Sequence, residues 1–173
     1  MKIFLSRPLF YIIISCVLLS ISSCNDEEEE PEPESDFVIV DDNNITIDLT
    51  WTVPGNENGF EVANLDLATS DLLDNTININ SREFVDRFER LTVNTLTPDN
   101  TFRVRVRYFA PLDSTRSTAT YTLTISNSDS TVSRVFTNTI APPAEGDVTT
   151  WIDEEVQVPA TIWKSGNQYT FLE

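Results

Sequence analysis

Three arginines recur at every second position, Arg103, Arg105 and Arg107, in the stretch TFRVRVRYFA. On an extended strand that period puts all three guanidinium groups on one face. Such a ladder can offer charge-assisted hydrogen bonds to an anion or an acidic glycan. It can equally be neutralised across the sheet by acids, by Asp66 or, in another register, by Glu61. A second group is rich in oxygen. Asp41 and Asp42, followed by Asn43 and Asn44, precede a strand, and Asn64 and Asp66 can converge on them from the next one. Calcium takes about six to eight oxygens from carboxylates and carbonyls, so it is the cation this group would hold. The plainer reading is a polar strand start and a solvated face. A third group is aromatic: Trp151, Trp163, Tyr169 and Phe171. Tyr169 and Phe171 share a strand face in any register. Trp163 joins them if the hairpin loop is Ser165-Gly166-Asn167 and faces away if the turn is only Gly166-Asn167. Exposed, such rings suit sugar stacking; buried, they seal a core.

Other chemistries are removed by composition. The chain of 173 residues has no histidine, so the commonest general base and metal ligand is missing, and with it Ser-His-Asp triads, Cys-His pairs and ordinary zinc sites. No glycine loop that could cradle phosphate is present. A carboxylate hydrolase of the glycosidase kind is the one catalytic class left, and no acid pair stands out by its spacing. The expectation is a non-enzymatic module with no cofactor, calcium excepted.

Two cysteines remain, and their settings differ. Cys16 lies within the apolar run Leu9 to Leu19, which follows Lys2 and Arg7. That run, about 11 residues, is short for a membrane span of about 20 and reads as the core of a secretory signal over residues 1–23. Cys24 closes ISSC, an aliphatic residue and two small ones before a cysteine. This resembles the lipobox of bacterial lipoproteins. The resemblance implies cleavage before Cys24, lipidation of its sulfur and an acylated new N-terminus, with palmitate-type chains holding the protein to a membrane. Two or more acyl chains anchor stably where one does not. Cys24 opens NDEEEEPEPESD, whose eight acids repel one another and whose prolines stiffen the backbone. Residues 24–36 thus read as a lipidated cysteine and an extended tether reaching at most about 40 Å. A cysteine followed closely by acids also resembles the export signal of surface lipoproteins in the Bacteroidota. That implies an outer-membrane protein displayed on the cell surface, with a periplasm-facing position as the second choice.

Beyond the tether, residues 37–173 carry 9 basic and 20 acidic side chains, a net of −11. A body this acidic excludes nucleic acid as a partner, since phosphates demand a basic footprint. A glycan or a protein remains open.

The elements that must position these groups are strands. In ITIDLTWTV, Ile45, Ile47, Leu49, Trp51 and Val53 point one way, and Thr46, Asp48, Thr50 and Thr52 the other. Leu65 and Leu67 alternate with Asn64 and Asp66. Ile77 and Ile79 mark a short strand. Phe102, Val104, Val106 and Tyr108 alternate with the arginine ladder, and Ala119, Tyr121, Leu123 and Ile125 answer them. A further strand covers Thr131 to Ile140, and the chain closes with a hairpin around KSGNQ. SREFVDRFERL reads either as a brief helix capped by Ser81 or as a loop entering a strand near Leu91 to Val93. Regular strands without alternating helices predict an all-β fold: an antiparallel, jelly-roll-like β-sandwich over 37–141, with two or three C-terminal strands over 142–173 that end in this β-hairpin and pack on the same domain. The Trp51 strand, NLDL, LTPDNTFRVRVRYFA and TATYTLTIS resemble the jelly-roll modules of the bacterial pre-peptidase C-terminal type. That likeness implies an accessory binding or structural module and puts Asp66 near a turn of polar contacts.

Overall fold

The period-two pattern becomes ten strands: β1 (Val38–Val40), β2 (Asn44–Thr52), β3 (Ala63–Asp71), β4 (Ile77–Ser81), β5 (Phe88–Asn94), β6 (Asn100–Pro111), β7 (Ala119–Asn127), β8 (Ser133–Ile140), β9 (Gln157–Ser165) and β10 (Gln168–Leu172). The computed structural model describes residues 37–56, 62–73, 76–81, 88–111, 117–144 and 156–172. No helix occurs among them. Phe88 to Asn94 is a strand with Leu91 and Val93 buried, in line with the expected strand near Leu91 to Val93, while residues 82–87, where the alternative helix would lie, are outside the described residues. The signal segment, Cys24, the tether and Trp151 lie outside the described residues.

Two antiparallel sheets form a β-sandwich. One runs β1-β10-β9-β6-β3-β4, the other β5-β2-β7-β8. The chain passes repeatedly from sheet to sheet, and its first and last strands pair, which is a jelly-roll-like winding. The C-terminal hairpin is β9–β10. It lies inside the six-stranded sheet, between β6 and β1, rather than resting on a finished sandwich. Its turn is the two-residue Gly166-Asn167, since Ser165 pairs with Gln168. Gly166 has φ +58, as the first central residue of a type II′ turn requires.

The core forms where the inner faces meet. Ile45, Ile47 and Leu49 of β2, with Leu123 and Ile125 of β7 beside them in the same sheet, face Leu65 and Leu67 of β3 and Val104 and Val106 of β6, all fully buried. Burial of each such side chain contributes about 1.5–3 kcal/mol. Trp51 fills one end and its indole N–H donates to the Ala63 carbonyl at 2.9 Å, so the ring is buried without an orphaned donor. Along the β1/β8 side, Phe171 meets Phe37 edge-on at 5.2 Å and Phe136 in a stack at 6.3 Å. The Arg134 guanidinium lies over all three rings.

Candidate ligand-binding face

The arginine ladder lies on the outer face of the six-stranded sheet. Val104 and Val106 point into the core, so Arg103, Arg105 and Arg107 point away from it. On β3, the residues opposite them are Ser70, Ala68 and Asp66 respectively. These three neighbours decide three different fates.

Arg107 meets the only acid among the three. Its Nε and Nη2 donate to Asp66 Oδ2 at 2.9 and 2.5 Å, and its guanidinium also covers the Phe109 ring at 4.9 Å. Both members are buried. Arg107 is thus engaged within the fold, which corrects its place in an open anion site. Asp66 is engaged with it, which removes that carboxylate from the expected calcium group.

Arg105 meets Ala68, which has nothing to offer it. The residue is only 7% exposed, yet Nε and Nη1 have no hydrogen-bond partner. Burial first, and then the neighbouring positive charge of Arg103, hold its guanidinium below the ordinary value. The Ser70 hydroxyl, fully buried on the same face of β3, also lacks a partner. Arg105 further sits at an irregularity. Val104 pairs with Ala160 and Val106 with Gln157, so β9 spends one extra residue opposite Arg105, in the segment holding Pro159. Such bulges bend a strand and re-aim the side chain beside them. Val156, just before β9, packs with Ala68 in a small second cluster on this outer side. Arg103, half-buried, completes the ladder.

Trp163 belongs to the same face. It pairs with Thr101 on β6 and Thr170 on β10, while Arg103 pairs with Thr161. At 45% exposure it is the most exposed aromatic side chain among the described residues. Tyr169 does not join it. With a two-residue turn Tyr169 faces inward, is fully buried and donates its hydroxyl to the Val93 carbonyl at 3.2 Å. The expected row of Trp163 and Tyr169 is therefore split by the sheet, and Tyr169 is corrected to a core residue.

The oxygen group is likewise divided. Asp41 Oδ1 accepts from the N–H of Asn43 and Asn44, and Oδ2 from the N–H and hydroxyl of Ser128, at 2.6–2.8 Å. Asp42 accepts from the Asn167 amide at 2.7 Å. Asn64 and Asp66 sit on β3, Asn64 opposite Ala110 and Asp66 bonded to Arg107, so the four expected calcium ligands do not converge. Asp41 instead ties the β1–β2 turn to the β7–β8 loop. Burial raises its carboxyl pKa, but hydrogen bonds from Ser128, Asn43 and Asn44 outweigh that and bring it from 3.8 to about 2. Among the described residues no group of three or more His, Cys, Asp or Glu could hold a metal ion.

Two buried ionisable residues escape a reading by motif. Lys164 is fully buried, and its Nζ donates to the Thr95 carbonyl and to Asp99, both at 3.2 Å. Glu89 is fully buried and accepts from the Ser81 hydroxyl. Parity marks both: Lys164 shares a face with Ala160 and Ile162, and Glu89 with Leu91 and Val93.

No protein-family model, curated protein or solved structure matches the chain.

Proposed function

We propose that this protein is a lipid-anchored, non-enzymatic binding module of the bacterial cell envelope, and that its ligand carries a negative charge which docks on the outer face of the six-stranded sheet. The anchor half rests on the order of positive residues, short apolar run, small residues, Cys24 and acidic tether in the sequence. Outer-membrane attachment with surface display follows from the same residues, a periplasm-facing position being the second choice.

The binding half is carried by Arg105. A buried guanidinium with two unpaired N–H groups costs free energy in the unliganded protein, on the order of 1–3 kcal/mol for each unmade bond. The ladder is a local concentration of three of the nine cations in a body of net charge −11. The charge that acts on Arg105, after burial itself, is that of another arginine, Arg103. Both nitrogens are closed to solvent in the unliganded fold, and a carboxylate entering there would meet the guanidinium along one edge, Nε with Nη2 or Nη1 with Nη2, and so bring an acceptor to one of them.

Two readouts test the two halves. Metabolic labelling with palmitate should mark the wild-type protein and not Cys24→Ser; equal labelling removes the anchor. Acetate, raised against chloride at constant ionic strength, should increase the melting temperature of the wild type and leave Arg105→Met unmoved. An equal response of the two proteins removes the binding face.

A further inference from the structure

We infer that the acid docking on this face is carried by a sugar: the outer sheet surface is a platform for an acidic oligosaccharide, with Trp163 stacking on a ring and Arg105 taking a uronate carboxylate. This rests on the anion-binding reading above and adds the ligand's class to it.

The register brings the two groups together. Trp163 stands beside Thr101, and Arg103 and Arg105 follow Thr101 at successive outward positions of β6. At about 3.3 Å per residue, Arg103 lies roughly 7 Å and Arg105 roughly 13 Å along the strand from the tryptophan. A short oligosaccharide covers that span. Among the described residues no ring or cation stacks on Trp163, and its cross-strand neighbours, Thr101 and Thr170, are hydroxyl-bearing and short. The site therefore has a flat apolar ring at one end, hydroxyls beside it, and at the other the buried guanidinium of Arg105 with two orphaned nitrogens.

Each simpler ligand leaves part of this surface unused. A neutral sugar covers Trp163 and can offer Arg105 hydroxyl oxygens, but it brings no negative charge to the guanidinium. A small anion satisfies Arg105 and leaves the indole in water. A peptide of acidic residues supplies charge but no rigid ring whose C–H face matches an indole. A sugar acid supplies both, with hydroxyls for the threonines between.

The test uses the full chain in detergent, titrated calorimetrically with oligogalacturonate, a hyaluronan oligosaccharide, methyl-esterified oligogalacturonate and polyglutamate. At least one of the two acidic glycans should bind. Its affinity should fall about tenfold in Arg105→Met and roughly fivefold in Trp163→Ala, whose ring lies exposed and can be removed without opening the core. The methyl ester, which keeps the ring and loses the charge, should bind about tenfold more weakly than its parent. Polyglutamate should bind more weakly than the glycan and be indifferent to Trp163→Ala. If polyglutamate binds as tightly as the glycans, or Trp163→Ala changes nothing, the sugar is overturned and the anion site stands. If neither glycan binds while polyglutamate does, the same conclusion holds. If no acidic probe binds, or Arg105→Met binds like the wild type, both fall together.

Discussion

Replacing Arg105 by methionine should make the unliganded protein more stable, while the same change two residues away should make it less so. Nε and Nη1 of Arg105 are buried without acceptors, and each such group costs about 1–3 kcal/mol. Methionine keeps an aliphatic stem beside Ala68, removes both donors and relieves the repulsion from Arg103. Part of the gain is offset by the packing contacts that the guanidinium makes and methionine does not. The expected net is about 1–3 kcal/mol of added stability, or roughly 3–5 °C in melting temperature per kcal/mol for a body of this size. Arg107→Met strips Asp66 of its partner inside the fold, and an uncompensated buried carboxylate costs about 3–5 kcal/mol. Urea and thermal unfolding of both variants, followed by circular dichroism in the absence of ligand, measure the contrast. If Arg105→Met destabilises as Arg107→Met does, then Arg105 holds the sheet together, and its orphaned donors are not reserved for a ligand.

Three further outcomes are expected. Asp41 has a folded pKa of about 2 against 3.8, so its contribution is full above pH 4 and is lost as pH falls through 2; Asp41→Asn should cost up to roughly 2 kcal/mol at neutral pH and almost nothing near pH 2, read from urea midpoints along the pH axis. Gly166→Ala should cost about 1 kcal/mol through its positive φ alone, because a Cβ there meets nothing within 4 Å, and Gly166→Asn should cost less. Burial pushes the hydroxyls of Tyr121 and Tyr169 up to about 12, so spectrophotometric titration should show neither ionising near pH 10 while the fold persists; two ordinary tyrosines there would contradict their place in the core.

The strands were legible in the sequence because one face of each is apolar. Ile45 to Val53, Phe102 to Tyr108 and Ala119 to Ile125 all bury the residues that alternation selects. The three-residue β1 was not legible, since Val38 to Val40 is too short to show a period, and only its pairing with β10 makes it a strand. Alternation also suggested a wet outer face for β3, yet Asp66, Ala68 and Ser70 are buried there. A two-fold period says which residues face the core, and is silent on what covers the other side. The arginine ladder was visible as a ladder. That its members separate into a paired Arg107 and an unpaired Arg105 depends on which β3 residue stands opposite each, a matter of register between strands about 40 residues apart. Whether Trp163 or Tyr169 faces outward turned on one residue of hairpin length, which KSGNQ leaves open and the Ser165–Gln168 pair decides.

Nitrogen-15 spectra of the arginine side chains speak to the division between Arg105 and Arg107 at the atoms concerned. On titration with galacturonate, the Nε–H signal of Arg105 should shift and slow its exchange with water as it gains an acceptor, while that of Arg107, already bonded to Asp66, should stay in place. An Arg105 signal that does not move, or one that moves no more than that of Arg107, would contradict the assignment of this face as the binding site.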